Sequence, residues 1–451
     1  MTLQATSIEI VGALVFAIAV MNTFLIKVFQ NYHYYLQQRW GPNPKWWQDS
    51  IIRTVHFFSE PEIVIGFWAG VLVVILMLTN GKGAVTSFFN GKLPFQHGHA
   101  PHFTEPLFVF AIMIVASTRP IIYLSNLAID KLSRLIPINN NLSFYCVALI
   151  LGPLLGSFIT EPAAMTVTAL ILMKRFYERQ ISIPLRYATL GLLFVNISVG
   201  GTLTHFAAPP VVMVAAKWGW HEASGGMFML LNFGWKAATA IIISTVAIAF
   251  FFRKELKALP DYNKSGEIEG RNVPVVLTII HILFLVALVA FAHEWPVVLG
   301  ALMFFAGMYD VTKKYQDPLK FREALLVGFF LSGLVTMGSF QTFWLQPTIS
   351  GLPDFGLFAG ATGLTAVTDN AALTYLGSLV EGISDSAKYA LVAGAVTGGG
   401  LTFIANAPNP AGVSILKDGF PEGSISPFGL LLWALGPTAV AFACFWFLPS
   451  L

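Results

Sequence analysis

The sequence predicts an all-α polytopic membrane protein built from two inverted repeats, each with about five membrane-spanning helices, one of them discontinuous, and one re-entrant hairpin. Three observations predict this fold class. The 451 residues are 56% hydrophobic and only 11% charged, with a mean hydropathy of +0.70, whereas soluble domains carry about 25% charged residues. Apolar runs of about 20 residues, enough for a helix to cross a bilayer, recur along the chain. Two short motifs, one of them opened by a glycine pair, recur in the same order in both halves.

Ten apolar runs are predicted to span the membrane, at residues 8–29, 61–79, 105–126, 185–216, 226–252, 273–292, 296–312, 323–341, 388–416 and 426–449. The first lacks a basic leader and a small-residue cleavage site, so it is interpreted as a retained helix. The runs 185–216 and 388–416 contain glycine pairs and prolines, which interrupt a membrane helix. We therefore expect these two helices to be broken.

Two further apolar segments, 142–177 and 355–384, are interrupted midway by glycine and polar residues and are predicted to be re-entrant hairpins. Charge counting supports this interpretation, because cytoplasmic loops collect Lys and Arg. With the N-terminus outside, twenty basic residues fall in loops predicted inside and four fall outside. The predicted organisation is a first repeat at 1–252, a cytoplasmic linker at 253–272 and a second repeat at 273–451.

The two halves share motifs directly. TEPAAMT at 160–166 matches TDNAALT at 368–374, and GGTLTHFAAPP at 200–210 matches GGGLTFIANAP at 398–408. Inverted repeats with broken helices are typical of secondary transporters whose binding site lies near the bilayer midplane. Chance similarity between Gly/Ala-rich apolar stretches is the alternative, although both matches keep their order.

Glu161 and Asp369 lie at matched positions at the two hairpin tips, within apolar sequence. A lone carboxylate there costs several kcal/mol to bury, so each is a functional candidate. It can be neutralised by a proton or by a cation, and competition between the two is the simplest chemistry of a proton-coupled antiporter. The alternative is that one of them is a permanently satisfied acid at a helix end.

Hard oxygen ligands suited to sodium accompany both acids. The predicted cation- and proton-binding residues are Asp369, Asn370, Glu161, Thr368, Thr374, Thr160 and Thr166. The predicted lining of the broken helices is Gly201, Thr202, Thr204, Gly399, Thr402, Asn406 and Asn409. Close helix packing is the alternative role of the glycines. The only cysteines, Cys146 and Cys444, lie in apolar runs, so no transition-metal site, disulfide framework or cofactor is expected.

Several other ionisable residues have less specific roles. His205, in the first break, is expected to be hydrogen-bonded, with a proton relay as the alternative. The histidines of the predicted outer loop, His97, His99 and His102, are expected to be solvated rather than to bind metal. Arg119 and Lys236 either balance an acid or reach the interface. Glu62, Glu105 and Glu323 are interpreted as helix starts, where an acid suits the helix dipole.

These motifs resemble the ion transporter superfamily, and within it NhaD-type and related sodium/proton antiporters. The resemblance rests on Thr365-Ala366-Val367-Thr368-Asp369-Asn370 and on the two glycine-pair breaks. It implies two hairpins meeting two discontinuous helices, alternating access, a homodimer in a bacterial inner membrane, and Asp369 and Asn370 as leading site residues. The first tip departs from the family pattern, because Glu161-Pro162 replaces the Asp-Asn pair.

The leading hypothesis is a sodium (or lithium) ion/proton antiporter. A sodium-coupled anion symporter or an oxyanion permease on the same scaffold is the alternative, although the hairpin tips carry acids. An enzyme is not expected, since neither a Ser-His-Asp pattern nor an H-E-x-x-H motif is present. The expected partners are sodium ions, protons and the lipid bilayer, and nothing in the sequence suggests nucleic acid.

Overall fold

The computed structural model describes residues 6–92, 101–179, 181–260 and 273–451, and every regular element within those ranges is helical. The first half contains α1 (Ser7–Phe24), α2 (Ile26–Trp40), α3 (Trp46–Phe57), α4 (Pro61–Phe89), α5 (Thr104–Ala116), α6 (Arg119–Leu135), α7 (Asn140–Ile159), α8 (Glu161–Arg175), α9 (Ile183–Gly200), α10 (Pro209–Ala215), α11 (Trp235–Phe251) and α12 (Arg253–Ala258). The second half contains α13 (Val275–Ala290), α14 (Trp295–Val311), α15 (Phe321–Gly338), α16 (Thr342–Ile349), α17 (Asp354–Thr365), α18 (Asn370–Ser378), α19 (Asp385–Gly398), α20 (Asn409–Leu416) and α21 (Pro427–Phe447).

The described helices confirm a multi-pass membrane protein. Seven of them are long and apolar enough to span a bilayer, and an eighth span results if α5 and α6 are counted together. Two shorter apolar helices, α13 and α14, match the predicted runs 273–292 and 296–312. Both present large apolar side chains to the surroundings, such as Leu283 and Phe304, which are 60% and 77% exposed. Such surfaces suit contact with lipid.

The structure refines one predicted span and corrects one predicted loop. The run 105–126 was predicted as a single span, and the structure divides it into α5 and α6, which meet at an angle of 67°. Thr118 is extended there, and Pro120 occupies the first turn of α6, where a proline is tolerated because its missing N–H has no partner within the helix. Residues 30–60 lie between two predicted spans and were counted as a loop predicted inside, but they contain most of α2 and all of α3. The mixed polar and aromatic composition of these two helices gives a low hydropathy, so a search for apolar runs does not find them.

Residues that the structure does not describe include His97, His99 and positions 261–272 of the predicted linker, so those predictions lie outside the described residues. The acids Glu62, Glu105 and Glu323 do lie in the first turns of α4, α5 and α15. There their charge suits the positive end of the helix dipole, as predicted.

Contacts divide the chain into two units. The first unit comprises residues 1–110, 321–352 and 375–383. Its helices α4 and α15 cross where Gly333 meets Gly66: a Cβ on Gly333 would lie 2.8 Å from the Gly66 Cα. Such glycine crossings let membrane helices approach backbone to backbone.

The second unit comprises residues 111–320, 353–374 and 384–451. It contains α7 and α8, the helices of the predicted first hairpin. Thr168 faces Gly152 and Ala164 faces Gly156, so the two helices run antiparallel about Thr160. At the open end, Arg179 Nη1 donates to Asn141 Oδ1 at 3.1 Å. The segment 142–177 therefore enters and leaves on the same side.

Both predicted breaks are present in the second unit. The first broken helix consists of α9, a short 3-10 turn at Gly201–Leu203, an extended stretch and α10. In the second, α19 ends at Gly398 and α20 begins at Asn409. Each broken helix packs parallel to the first arm of a hairpin. Thr189 and Gly200 of α9 meet Tyr145 and Pro153 of α7, in that order, and Gly394 and Gly398 of α19 meet Phe358 and Thr362 of α17. The same local arrangement thus occurs twice.

Candidate functional site

The first hairpin tip buries a carboxylate completely. Glu161 begins α8 directly after Thr160, whose φ of 72° is unusual for a residue with a β-branched side chain. The Glu161 side chain is 0% exposed. Its Oε2 accepts a hydrogen bond of 2.9 Å from Asn406 Nδ2, in the second break. Its Oε1 is buried and has no hydrogen-bond partner among the described residues.

The first break also reaches this carboxylate. A Cβ built on Gly201 would lie 2.5 Å from Glu161 Oε1 and 2.7 Å from its Cγ. The bare Cα of Gly201 therefore makes room for the acid. Glu161 consequently touches both broken helices, Gly201 in the first and Asn406 in the second.

The acid at the second tip, Asp369, is bonded differently from Glu161. Asp369 is half-buried and precedes α18, and its Oδ1 accepts from the backbone N–H groups of Ala371 at 2.8 Å and Ala372 at 3.1 Å. This is the geometry of a helix N-cap. Asp369 also lies within electrostatic range of Glu161. The carboxylate predicted to lead the site thus has at least one oxygen bound to its own helix.

Asn370, the first residue of α18, contacts both broken helices instead. Its backbone N–H donates to Ala405 O at 3.1 Å, and its Nδ2 lies 3.5 Å from Ser198 Oγ. A Cβ on Gly399 would lie 3.0 Å from that Nδ2. Asn370 is 0% exposed, and its Oδ1 has no hydrogen-bond partner among the described residues.

Side chains from the hairpins and breaks satisfy the interrupted backbone. At the first break, Ser157 Oγ donates to Gly200 O at 2.7 Å and accepts from Leu203 N at 2.8 Å, while Thr204 Oγ1 donates to Ser157 O at 2.6 Å. Unpaired backbone groups at membrane depth cost several kcal/mol. These bonds therefore hold the first break open against the first hairpin.

The second break is stabilised by Asn409 and Thr402. Asn409 Nδ2 donates to Gly399 O at 2.8 Å and to Thr402 O at 2.9 Å. Thr402 Oγ1 donates to Ala366 O in the second hairpin at 2.7 Å. Thr204 and Thr402, which occupy matched positions in the two motifs, thus attach their breaks to the two hairpins in the same way.

Four predicted hydroxyl ligands donate to backbone carbonyls three or four residues earlier. They are Thr166 to Pro162 O, Thr374 to Ala371 O, Thr368 to Leu364 O and Thr202 to Val199 O. Such bonds are ordinary for threonine in helices. Of the predicted hydroxyls, Thr160 differs, because its Oγ1 is buried without a partner among the described residues.

The buried oxygens left without donors define what the site can bind. They include Thr160 Oγ1, Glu161 Oε1, Asn370 Oδ1, Asn406 Oδ1 and Asn409 Oδ1. Buried polar atoms without partners are rare, and each is expensive. One carboxylate and several neutral oxygens form the donor set that hard cations prefer. Within the described chain, no group of three His, Cys, Asp or Glu side chains is placed to hold a metal.

Sequence reasoning missed Ser157 and Ser198. Ser157 lies in the GSFITEP segment, and Ser198 precedes the first glycine pair by two residues. Ser198 Oγ donates to Val396 O at 2.7 Å, where it links the two broken helices. A serine in an apolar membrane segment could have drawn attention to both, but which backbone groups they satisfy depends on the three-dimensional arrangement.

The two basic residues predicted to lie within the membrane, Arg119 and Lys236, belong to the second unit. Arg119 Nη1 pairs with Asp317 Oδ1 at 3.5 Å. Lys236 is 2% exposed, and its Nζ donates to Tyr389 Oη at 2.8 Å. The described contacts join neither of them to Glu161.

Comparison with known proteins gives three findings. A solved structure described as the crystal structure of the Alcanivorax borkumensis YdaH transporter, with an unusual topology, aligns at 10% sequence identity and a TM-score of 0.45, over 85% of this chain and 95% of that chain. No curated protein matches the sequence significantly. The sequence profile of the family described as "Putative Na+/H+ antiporter" matches residues 7–448. The chain therefore belongs to this Na+/H+ antiporter family.

Proposed function

We propose that the chain exchanges sodium, or lithium, for protons by alternating access, and that Glu161 is the carboxylate that the two cations neutralise in turn. Membership of the antiporter family supports transport of sodium and protons. The single observation that carries the role of Glu161 is its complete burial with Oε1 unpartnered, between Gly201 and Asn406.

The cost of a bare buried charge explains how the exchange is coupled. An unpaired carboxylate in a low-dielectric interior costs several kcal/mol, whereas a protonated or sodium-bound one carries no net charge. Sodium would be held by Glu161 Oε1 with the oxygens of Asn406, Asn370 and Thr160. A site that changes sides only when Glu161 is neutralised moves one cation in each direction and prevents uncoupled return.

An anion substrate fits this site less well. Anions need donors, whereas the unpartnered buried atoms at the two tips are all oxygens, and of these only the Thr160 hydroxyl can donate. No Lys or Arg side chain of the described residues bonds to Glu161. These observations favour antiport over a sodium-coupled anion symporter or an oxyanion permease, and membership of the antiporter family supports transport rather than catalysis.

We further propose that the protein works as a homodimer in a bacterial inner membrane, with its N-terminus outside and with no cofactor beyond the transported ions. The distribution of Lys and Arg supports this orientation. The parallel packing of α9 on α7 and of α19 on α17 supports two repeats, 1–252 and 273–451, joined by a linker at 253–272.

Sodium-driven proton flux in proteoliposomes tests the proposal. A pH dye inside the vesicles reports the response to sodium, lithium, potassium or an anion for the native protein and for Glu161→Gln. We expect native vesicles to change internal pH with sodium or lithium, and the variant to stay silent. A native protein that responds only to an anion would contradict cation antiport.

A further inference from the structure

Three histidines from distant parts of the sequence converge in the second unit. His205 lies in the first break, His221 in the loop after α10, and His293 in the loop between α13 and α14. The ring centroids of His293 and His221 are 4.7 Å apart, and those of His221 and His205 are 6.3 Å apart. His293 is exposed, whereas His221 and His205 are half-buried. The three rings thus form a row that leads inward from the exposed His293.

The surroundings of His221 suit the transfer of protons. Its Nε2 lies 3.5 Å from Oε1 of Glu222, whose side chain is 85% exposed. Its Nδ1 is buried and has no hydrogen-bond partner among the described residues. Glu222 and Glu294 both act electrostatically on His293, and His221 acts on both other histidines. One nitrogen of His221 therefore faces a surface carboxylate, and the other faces the interior.

His205, at the inner end of this row, belongs to the same segment as Gly201, which contacts the Glu161 carboxylate. His205 directly follows Thr204, which Ser157 fixes to the first hairpin through the 2.6 Å bond. Four residues earlier, Gly201 lies against Glu161. The short stretch 201–205 therefore runs from the buried acid to the innermost imidazole.

Proton supply is a physical problem for a buried acid at alkaline pH. At pH 8, even association at the diffusion limit of about 10¹⁰ M⁻¹ s⁻¹ delivers only about 100 protons per second to an exposed group. A carboxylate that is 0% exposed is reached less often still. Imidazoles accept and release protons near neutral pH, so a row of them increases the rate at which protons reach the buried acid.

We propose that His293, His221 and His205 form a port through which protons reach Glu161 from the face of the protein that carries His293. This inference rests on the proposed function. The port matters when protons are scarce and is dispensable when they are abundant. Exchange of sodium for sodium needs no proton and does not use it.

The test compares native protein with His221→Gln in oriented proteoliposomes. Sodium-driven proton uptake from the His293 face is measured at pH 6 and pH 8 on that face, and ²²Na⁺ counterflow is measured at pH 8. We expect His221→Gln to lower proton uptake at least threefold at pH 8, while uptake at pH 6 and counterflow stay at native levels. The double variant His33→Gln/His56→Gln is the control, because it removes another close imidazole pair, with centroids 4.8 Å apart, from α2 and α3.

The outcomes separate the two proposals. An active native protein with an unchanged His221→Gln uptake at pH 8 would overturn the port alone. A variant whose ²²Na⁺ counterflow falls as much as its proton uptake would also overturn it, because the histidine would then be structural. Native vesicles that exchange no sodium for protons would overturn the proposed function together with the port.

Discussion

The two hairpin tips each carry one acid, but they place it differently. At the first tip, Glu161 is 0% exposed, and one of its oxygens has no hydrogen-bond partner among the described residues. At the second tip, Asp369 is half-buried and caps α18 through two backbone N–H groups. Asn370 occupies the fully buried position there, with an unpartnered Oδ1. The first tip thus offers a charge to the site, and the second offers a neutral oxygen.

The difference arises from a shift of one residue in helix register. α8 begins at the acid itself, because Thr160 alone makes the turn, at a φ of 72°. α18 begins one residue after the acid, following the loop Ala366–Asp369. Structurally, Asn370 therefore corresponds to Glu161, and Asp369 corresponds to Thr160. A site with one buried carboxylate needs one cation to neutralise it, which suits a one-for-one exchange.

Replacing each acid by its amide tests this comparison with the largest expected effect. Glu161→Gln should lower sodium-driven proton flux about 100-fold or more, since losing one partner of a buried charge interaction costs about 3 kcal/mol. Asp369→Asn should keep the flux within about fivefold, because Asn caps helices as well as Asp. Flux in proteoliposomes containing equal amounts of folded protein gives the ratio. The reverse order would make Asp369 the exchanging acid.

A methyl group at Gly201 should damage transport almost as strongly. The Cβ of Gly201→Ala would lie 2.5 Å from Glu161 Oε1, so the carboxylate must move out of its position. We expect at least a 30-fold loss of sodium-driven flux, about 2 kcal/mol. Gly360→Ala on α17 is the matched control, because a Cβ there meets no atom within 4 Å. Equal activity of the two variants would refute the close contact.

Removing the amide that holds Glu161 should have a moderate effect. Asn406→Ala deletes the 2.9 Å hydrogen bond to Oε2 and one neutral oxygen. A hydrogen bond to a charged group is worth about 1.5–3 kcal/mol, so we expect the KM for sodium to rise about tenfold or more. Asn80→Ala, an exposed asparagine on α4, should leave the KM unchanged. A KM unaffected by Asn406→Ala would place the sodium elsewhere.

The smallest effect concerns the cap of α18. Asp369→Ala removes both bonds to the backbone and should lower the free energy of unfolding by about 1 kcal/mol, whereas Asp369→Asn should not. Thermal unfolding in detergent measures the difference, which corresponds to a fall in Tm of about 1–2 °C for a chain of this size. Equal stability of the two variants would show that capping is not the main role of Asp369.

Hydropathy and breaker residues predict most of the architecture. The hairpin at 142–177 and the breaks within 185–216 and 388–416 follow from glycine, proline and polar residues in apolar runs. In the structure α7 and α8 form a helical hairpin, and the helices of both runs are interrupted. The family predicted from the motifs is also confirmed. The bend at Thr118 is indicated locally by Arg119-Pro120, since a proline often lies in the first turn of a helix. The prediction followed the apolar character of the whole run instead.

The site itself is less predictable from sequence. The motifs identify both acids, but whether an acid is an N-cap or the first helical residue depends on how many residues make the turn. That choice is set by the tertiary packing of the tip. Contacts such as Ser157 with Leu203 and Ser198 with Val396 satisfy backbone groups that a linear sequence does not bring together. The role of Asp369 as the leading ion-binding residue remains a prediction.

Equilibrium sodium binding to the purified protein tests the central claim most directly. ²²Na⁺ binding is measured from pH 6 to pH 8 for the native protein, Glu161→Gln and Asp369→Asn. If sodium and the proton compete for Glu161, the native protein and Asp369→Asn should bind sodium more weakly as the pH falls, while Glu161→Gln should bind weakly at every pH. If sodium binding to Glu161→Gln still weakened as the pH falls, Glu161 would not be the group for which sodium and the proton compete.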